Sequence, residues 1–331
     1  GARELRGMKL RDIAIECLSR SGVSGAHRMD DDALFRAALT PDSAFTSILS
    51  DSVNKSMATA YRAAQPTYKA WTARGSNPDF KEATHYQISE AGELLKMTQS
   101  GEFKFDEMKD SGVSKAVATF GRSFGMTRQA FINDDIGILT RVPEAYVRAA
   151  ARGINKLVYK MLGNNPVIYD GKNLFHADHK NLATNAGAPS VATLSEGRRL
   201  MRTQKNLRGL ETLNIAPSYI VIPAALETTV DQLLNSIADP TGAHSGVANP
   251  FRNSLTPVVD AELDSYSEKA WYLVANPADI DTIEVTYLNG DDMPKLESQV
   301  GFDFLGVKWR IYIDYGVTVL DYRGLVKNAG E

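Results

Sequence analysis

One long amphipathic pattern constrains the fold of this chain more than any other feature. Between Pro143 and Gly163, apolar residues recur at steps of three and four, as they do on one face of an α-helix. Charged residues follow another face, with Glu144 preceding Arg148 in the order that favours an ion pair. Proline is typical of a first helical turn and glycine of a helix end. The sequence therefore predicts a rigid helix that starts near Pro143 and stops at Gly163.

The other patterns mix helices and strands, which indicates the α+β class. An apolar stripe predicts a helix within residues 41–66, Thr193 and Glu196 form a predicted capping box, and Pro223 opens a further helix. Apolar or alternating runs predict strands at 218–222, 256–261, 271–275, 307–314 and 317–322. We expect Gly316 to separate the last two strands.

The pattern of residues 67–135 predicts a long two-stranded hairpin that extends from the rest of the fold. Strand-like runs precede and follow a polar stretch, at 84–88, 93–97, 115–120 and 126–131. Few residues here could bury such a hairpin, and an isolated hairpin is marginally stable in water. We therefore expect the hairpin to be stabilised by packing against a partner subunit.

The first 40 residues are polar and weakly patterned. Between Arg3 and Arg28, six basic residues face three acidic ones, although the whole chain carries a net charge of −3. We expect a solvated arm that packs on a neighbour; a second interpretation is an arm close to a polyanion, which positive charge attracts. The first residue, Gly1, suits an end left by proteolysis or a cloning remnant.

Composition excludes several other classes of protein. The 331 residues are 43% hydrophobic and 23% charged, as in globular proteins, and the length indicates about two compact units. No apolar run reaches the roughly 18 residues of a membrane span. The single cysteine, Cys17, cannot form an internal disulfide, which is typical of a reducing compartment. A pI of about 6.0 argues against a general nucleic-acid binder.

One motif points to hydrolysis. Residues Gly121 to Gly125 match G-x-S-x-G, in which a strand-to-helix turn exposes the nucleophile, here Ser123. A strand-like run follows the motif in place of a helix, and glycines in a sheet more often mark a bend. A serine hydrolase that uses Ser123 is therefore the alternative from a different class.

A second motif has the spacing of metal ligands. His176, Asp178 and His179 could ligate one ion on a turn, or could cap that turn through local hydrogen bonds. No second cluster of ligands supports a closed site, and phosphate-binding glycine motifs are missing. We predict no enzyme activity, no cofactor and no metal, and keep these three residues as candidates only.

The order of elements resembles the major capsid protein of tailed bacteriophages, in the Mu-like major head subunit branch of the Hong Kong 97-like fold. The sequence resembles that family in two stretches, which are 170–181, and 307–314 followed by 321–328. The resemblance implies six parts, which are an N-terminal arm (1–40), a helix (41–66), an extended β-hairpin loop (67–135), a spine helix with the first part of a peripheral domain (136–190), an axial domain (191–265) and return strands of the peripheral domain (266–331).

The resemblance also implies a function. A structural subunit would self-assemble into hexamers and pentamers of an icosahedral shell around phage DNA, with an encapsulin-like nanocompartment shell as the nearest alternative. Implied partners are copies of itself, the portal, decoration proteins and, on the inner face, non-specifically bound double-stranded DNA, with no membrane. The implied location is the virion capsid, after assembly in the bacterial cytoplasm. The expected inter-subunit contacts are Arg3, Arg6, Arg11, Tyr86, Ile88, Leu94, Phe103, Phe105, Phe120 and Phe124.

Overall fold

The computed structural model describes residues 9–38, 55–88, 110–127, 136–207, 209–240, 246–300 and 306–330. The chain divides into two compact units. The first comprises residues 1–65, 119–153 and 292–314, and the second comprises 66–118, 154–291 and 315–331. Both units contain helices and strands, as predicted for the α+β class.

The described helices are α1 (Leu10–Arg20), α2 (Asp31–Ala38), α3 (residues 55–63), α4 (Ile136–Asn164), α5 (Val191–Arg202) and α6 (Glu227–Asn235). The strands are β1 (Ala73–Asn77), β2 (Ala83–Ile88), β3 (Asp110–Lys115), β4 (Ala118–Thr127), β5 (Pro217–Ile222), β6 (Thr256–Val259), β7 (Trp271–Ala275), β8 (Ile283–Leu288), β9 (Lys295–Val300), β10 (Gly306–Val319) and β11 (Leu325–Asn328). No helix among these described residues is long and apolar enough to cross a membrane.

The expected solvated arm is wrong for residues 10–38, which belong to the first unit as α1 and α2. Ala14, Leu18 and Leu34 are buried in a core cluster that also contains Trp309. The apolar positions of α1 follow helical spacing, but the run is short and interrupted by charge, so the stripe was too weak to detect. This segment is therefore packed structure of its own subunit.

A second core cluster of the first unit joins α3 to α4. Met57 and Tyr61 pack with Val147, Ala151 and Ile311. The described part of the predicted 41–66 helix is helical, and residues 41–54 lie outside the described residues.

The long helix α4 exists and ends within one residue of Gly163, but it begins one and a half turns or more before Pro143. It begins at Ile136, so Pro143 lies inside it and removes one backbone hydrogen bond. Gly163 lies in the last turn rather than beyond it. A Cβ atom at Gly163 would come within 2.3 Å of the Tyr266 ring, so close packing, not helix termination, requires the glycine here.

The second unit contains a four-stranded sheet in the order β11-β7-β5-β6. Residues of α5 and α6, among them Leu194, Met201 and Leu233, pack with this sheet in one core cluster. The capping box of α5 is formed by Ser190 and Thr193, three residues earlier than predicted. Glu196 instead accepts hydrogen bonds from Thr184 and Asn185.

Strand β10 begins in the first unit and ends in the second. Residues 315–319 pair with β8, which pairs with β1 in parallel, and residues 307–312 pair with β9. The strand continues through Gly316, so the predicted break there is wrong. A Cβ atom at Gly316 would lie 1.9 Å from the carbonyl oxygen of Ala116, and this close approach of two backbones explains the glycine.

Candidate inter-subunit surface

Strands β2 and β3 form a separate two-stranded antiparallel sheet, here called the ribbon (residues 83–88 and 110–115). The pairing runs from Ala83 opposite Lys115 to Ile88 opposite Asp110. The predicted strands at 84–88 agree with β2, whereas residues 93–97 lie outside the described residues. A two-stranded sheet with one solvated side is the kind of element that gains stability from a further contact.

The two faces of the ribbon differ in burial. Val113 is 3% exposed and His85 is half-buried, so this face packs against the rest of the chain. The opposite face, here called the outer face, consists of Thr84, Tyr86, Gly112 and Ser114, all exposed. Tyr86 is 62% exposed. Alternating side-chain direction along each strand produces this division.

Gly112 places no side chain on the outer face beside Tyr86. The two residues are directly opposite in the ladder. A Cβ atom at Gly112 would lie 2.8 Å from the Thr84 methyl group. The aromatic ring of Tyr86 is therefore the one large apolar group among the described outer-face side chains.

A buried ion pair fixes the root of the ribbon. Lys115 Nζ lies 3.0 Å from Glu284 Oε1 on β8, and both side chains are largely shielded from water. Glu284 also accepts a hydrogen bond from Thr286 Oγ1 at 2.5 Å. Gly75 on β1 makes the space, because a Cβ atom there would come within 1.8 Å of the Glu284 carboxylate. The ribbon is thus joined at one end to the sheet that contains β8.

Charge at the root also affects a neighbouring acid. Burial, followed by the charge of Glu284, raises the pKa of Asp281, and the charges of His85 and Lys115 oppose that shift. The Lys115–Glu284 pair and the buried side chains of Val113 and Val117 correct the expectation that the hairpin depends on a partner subunit. The described part of the hairpin is supported in part by its own subunit, rather than by a neighbour alone.

Nine of the ten predicted contact residues fall into two groups, which are those without a described side chain and those exposed to solvent. Arg3, Arg6, Leu94, Phe103 and Phe105 lie outside the described residues, and Ile88 lies in β2 with only its backbone described. Arg11 is exposed in α1. Tyr86 and Phe120 are exposed, the latter by 43%.

Phe124 differs from the other predicted contacts because it packs inside its own chain. Its ring is half-buried and stacks between Tyr146 and Trp309, with centroid distances of 5.4 and 5.6 Å. Stacked aromatic rings at these distances attract one another beyond simple area burial. The ring therefore contributes to the core cluster around Trp309.

The G-x-S-x-G motif does not form a nucleophile elbow. Gly121 to Gly125 lie within the unbroken strand β4, so the strand-to-helix turn that the elbow requires is missing at this place. Ser123 lines an open groove of about 430 Å³ together with Thr119, Arg310 and Tyr312. The described residues that line the groove include no histidine. The hydrolase alternative therefore loses its geometric basis.

The opposite rim of that groove is an ion-paired edge. Arg310 Nε donates to Glu297 Oε2 at 2.6 Å, and Tyr312 OH donates to Glu297 Oε1 at 2.8 Å. These two hydrogen bonds lower the pKa of Glu297. The charge of Arg310 is thereby compensated within the chain.

The predicted metal candidates form a hydrogen-bonded turn. The buried His179 ring has Nε2 at 2.6 Å from Asp170 Oδ2 and Nδ1 at 3.1 Å from the Leu174 carbonyl oxygen, and it stacks on Tyr322 at 3.9 Å. Its two nitrogens thus already have protein partners. Burial opposes ionisation of Asp170, but the hydrogen bond from His179 and the backbone N–H of Lys172 outweigh it and lower its pKa.

The other two candidates are also used locally. His176 Nδ1 accepts the backbone N–H of Asp178, and the Asp178 carboxylate accepts from Lys172 Nζ at 2.6 Å. Within the described ranges, no group of three or more histidine, cysteine or acidic side chains could hold a metal ion. The local arrangement matches the turn-capping interpretation of the motif.

Sequence reasoning missed the Lys115–Glu284 pair because nothing local signals it. The two residues lie on strands that are far apart in the chain, and neither neighbourhood has a distinctive motif. The strand at 84–88 and the contact candidate Tyr86 were predicted, because the alternation there is visible in the sequence, whereas Gly112 and Ser114 of the outer face were not.

Comparison with known proteins covers most of the chain. A family model described as "Phage capsid protein" matches residues 112–328. The major capsid protein of Escherichia phage Mu is 32% identical over 97 residues, which are 29% of this chain and 32% of that protein. The aligned stretch thus spans about a third of that relative's length.

Solved structures from three phages share the fold. The structure from Microbacterium phage Oxtober96 has a TM-score of 0.53 at 10% identity and covers 81% of this chain and 91% of its own. The structure from Mycobacterium phage Patience has a TM-score of 0.52 at 11% identity, covering 88% and 90%. That from Mycobacterium phage Adephagia has a TM-score of 0.51 at 10% identity, covering 81% and 90%. The predicted Hong Kong 97-like fold and the predicted family resemblance are confirmed.

Proposed function

This chain belongs to the phage capsid protein family, and from that membership we propose that its copies assemble, as hexamers and pentamers, into a closed icosahedral shell. The match covers residues 112–328, which include the second part of β3, all of α4 and both residues of the Lys115–Glu284 pair. A shell subunit works by geometry. Closed symmetry repeats each modest interface many times, so a small contact free energy per copy yields a stable container.

The observation that carries the assembly proposal is the exposed outer face of the ribbon. Its root is fixed by Lys115 and Glu284, and its outer side presents Tyr86 to solvent. A large exposed aromatic ring on a two-stranded element is typical of an interface residue. We assign this outer face to the contact with an adjacent copy of the chain.

The finer parts of the proposal concern cargo and partners. The shell would enclose double-stranded DNA held without sequence preference, and would carry a portal and decoration proteins. Assembly would take place in the cytoplasm of the bacterial host. Support comes from the family and from the excess of basic residues between Arg3 and Arg28, which favours nearby phosphate.

The division into N-terminal segment (1–40, with α1 and α2 packed in their own unit), helix (41–66), extended loop (67–135), spine (136–190), axial domain (191–265) and return strands (266–331) belongs to the same proposal. Two features support it. The helix α4 lies where a spine is expected, and one core cluster gathers α5, α6, β5 and β7 in and next to the range given to the axial domain. No catalytic role enters this assignment.

The test is shell formation by the purified full chain, followed by negative-stain electron microscopy and sedimentation velocity. We expect shells or capsomers from the wild type and from Tyr86→Phe, which keeps the ring. We expect Tyr86→Asp to remain folded by circular dichroism and to fail in assembly, because a carboxylate would be desolvated in the contact. A wild type that stays monomeric at every concentration contradicts the shell function. Normal shells from Tyr86→Asp contradict only the role of the outer face.

A further inference from the structure

Helix α5 carries three arginines against a single acid. Arg198, Arg199 and Arg202 share the helix with Glu196. The carboxylate of Glu196 accepts hydrogen bonds from Thr184 and Asn185, and the charge of Arg199 is one of the causes that lower its pKa. Arg199 therefore has a compensating acid nearby, whereas Arg198 and Arg202 do not share it.

Arg198 and Arg202 are one helical turn apart and lie close to each other. Burial, and after it the positive charge of Arg202, lowers the pKa of Arg198. Two like charges at this spacing destabilise a helix. The pair is therefore an arrangement with a cost in the isolated subunit.

Neutral groups hold both guanidinium groups in place. The Arg198 guanidinium carbon lies 3.9 Å from the centroid of the Phe251 ring, which is buried. Arg202 Nη1 donates to Asn214 Oδ1 at 2.8 Å. Stacking on a ring leaves the in-plane N–H groups of an arginine directed outward, and these are the groups that bind phosphate oxygens in pairs.

Four other arginines of the described residues are paired with an acid. Arg20 pairs with Glu16, Arg148 with Glu144, Arg310 with Glu297 and Arg323 with Asp321. Within the described residues, no carboxylate lies within 4.0 Å of the guanidinium of Arg198 or of Arg202. A fixed, uncompensated pair of guanidinium groups is suited to an anion with several oxygens, such as a phosphate diester.

The geometry points to Arg198 and Arg202 as a phosphate-contacting site for the backbone of double-stranded DNA. This inference rests on the proposed function, since DNA is the polyanion that a capsid encloses. Each arginine would contact a phosphate oxygen without reading a base, so binding would depend on salt and not on sequence.

The test is the salt dependence of DNA binding by the purified full chain. Fluorescence anisotropy with a labelled duplex of random sequence, at several salt concentrations, gives the slope of log K against log [salt]. Arg198→Gln with Arg202→Gln should reduce the steepness of that slope by about 1.8, since each phosphate contact contributes about 0.9. Between 50 and 200 mM salt the loss of affinity should then be roughly 12-fold smaller than in the wild type.

The matched control is Arg199→Gln, which removes one arginine from the same helix and should leave the slope nearly unchanged. If the double variant does not fold, Arg202→Gln alone decides, because that side chain is exposed; it should reduce the slope by about 0.9. An unchanged slope in the folded arginine variants overturns the inference, and so does an equal reduction in Arg199→Gln. Electron microscopy of the same proteins separates the outcomes, because shells that form normally without the arginine-dependent slope refute this site and leave the shell function standing.

Discussion

Strand β7 and the ribbon belong to the same compact unit, yet they use their surfaces in opposite ways. All five residues of β7 are buried, and the strand is paired on both sides, with β5 and with β11. The ribbon has two strands, and its outer face is exposed. The four-stranded sheet that contains β7 buries its apolar surface within the subunit, whereas the ribbon leaves its outer face available for contact with another copy.

This contrast separates stability from assembly. Substitutions in β7 should lower the free energy of unfolding of a single chain, and substitutions on the outer face should affect assembly with little effect on that free energy. The root of the ribbon, at Lys115, lies between the two cases because it is buried although it belongs to the exposed element.

The largest effect is expected in β7. Trp271 is 1% exposed, and its indole Nε1 donates to the Gly187 carbonyl oxygen at 2.9 Å. Trp271→Ala should lower the free energy of unfolding by about 3–5 kcal/mol, through the lost burial and the cavity. Urea denaturation of the unassembled chain measures it, with Trp271→Phe as the milder control. A loss below about 1 kcal/mol would remove β7 from the stabilising core.

The next effect is expected at the root of the ribbon. Lys115→Met leaves the buried Glu284 without its counter-ion and should cost about 3 kcal/mol of unfolding free energy. Adding Glu284→Gln removes the unpaired charge and should recover part of that loss. A double-mutant cycle measures the coupling between the two side chains. Strictly additive effects would show that the ion pair does not hold the ribbon.

A smaller effect is expected where β10 passes the chain segment before β4. Gly316→Ala places a methyl group 1.9 Å from the Ala116 carbonyl oxygen unless the backbones separate. We expect a loss of about 1–3 kcal/mol, as for other overpacked sites. Gly171→Ala is a useful comparison, since no atom lies within 4 Å of its added Cβ, although its positive φ of 78° costs strain of another kind. Equal stability of wild type and Gly316→Ala would contradict this tight approach.

Acid should weaken the turn that contains His179 and Asp170. The hydrogen bonds from His179 and from the backbone of Lys172 hold the pKa of Asp170 in the folded chain below the ordinary value of an aspartate. The stabilisation that this carboxylate provides is therefore complete above its unfolded pKa and is lost as pH falls through the folded pKa. Asp170→Asn should lower the thermal midpoint near pH 7, where the carboxylate stabilises the fold, and should make the midpoint fall less steeply below about pH 4. Identical acid profiles for the two proteins would contradict that role.

The smallest effect on folding is expected at Tyr86. Tyr86→Ala should change the free energy of unfolding by less than about 0.5 kcal/mol, as for exposed sites. The same substitution should reduce the yield of shells in electron micrographs, because the ring is lost from the contact. A large drop in stability together with normal shells would reverse the comparison between β7 and the ribbon.

The sequence predicted the elements that depend on local patterns better than those that depend on contacts between residues remote in the chain. The stripe of α4 and the alternation of 84–88 are local, so both elements were predicted. The start of α4 was misplaced because Pro143 usually opens a helix and here lies inside one. The stripe of α1 is short, and its burial depends on Trp309, which is remote in the chain.

The site shows the same limit. Tyr86 was predicted as a contact residue and is exposed, whereas Phe124, predicted on the same grounds, stacks on Trp309. Aromatic residues on strands have the same appearance in sequence whether they face a neighbour or a core. Only the position of the partner ring distinguishes them, and that position is set by tertiary contacts.

A density map of the assembled shell at side-chain resolution tests the central claim most directly. We expect Thr84, Tyr86 and Ser114 to be covered by an adjacent copy, while Lys115 remains paired with Glu284 of its own chain. An outer face that is still open to solvent in a complete shell would contradict the assignment of the ribbon to the contact between copies.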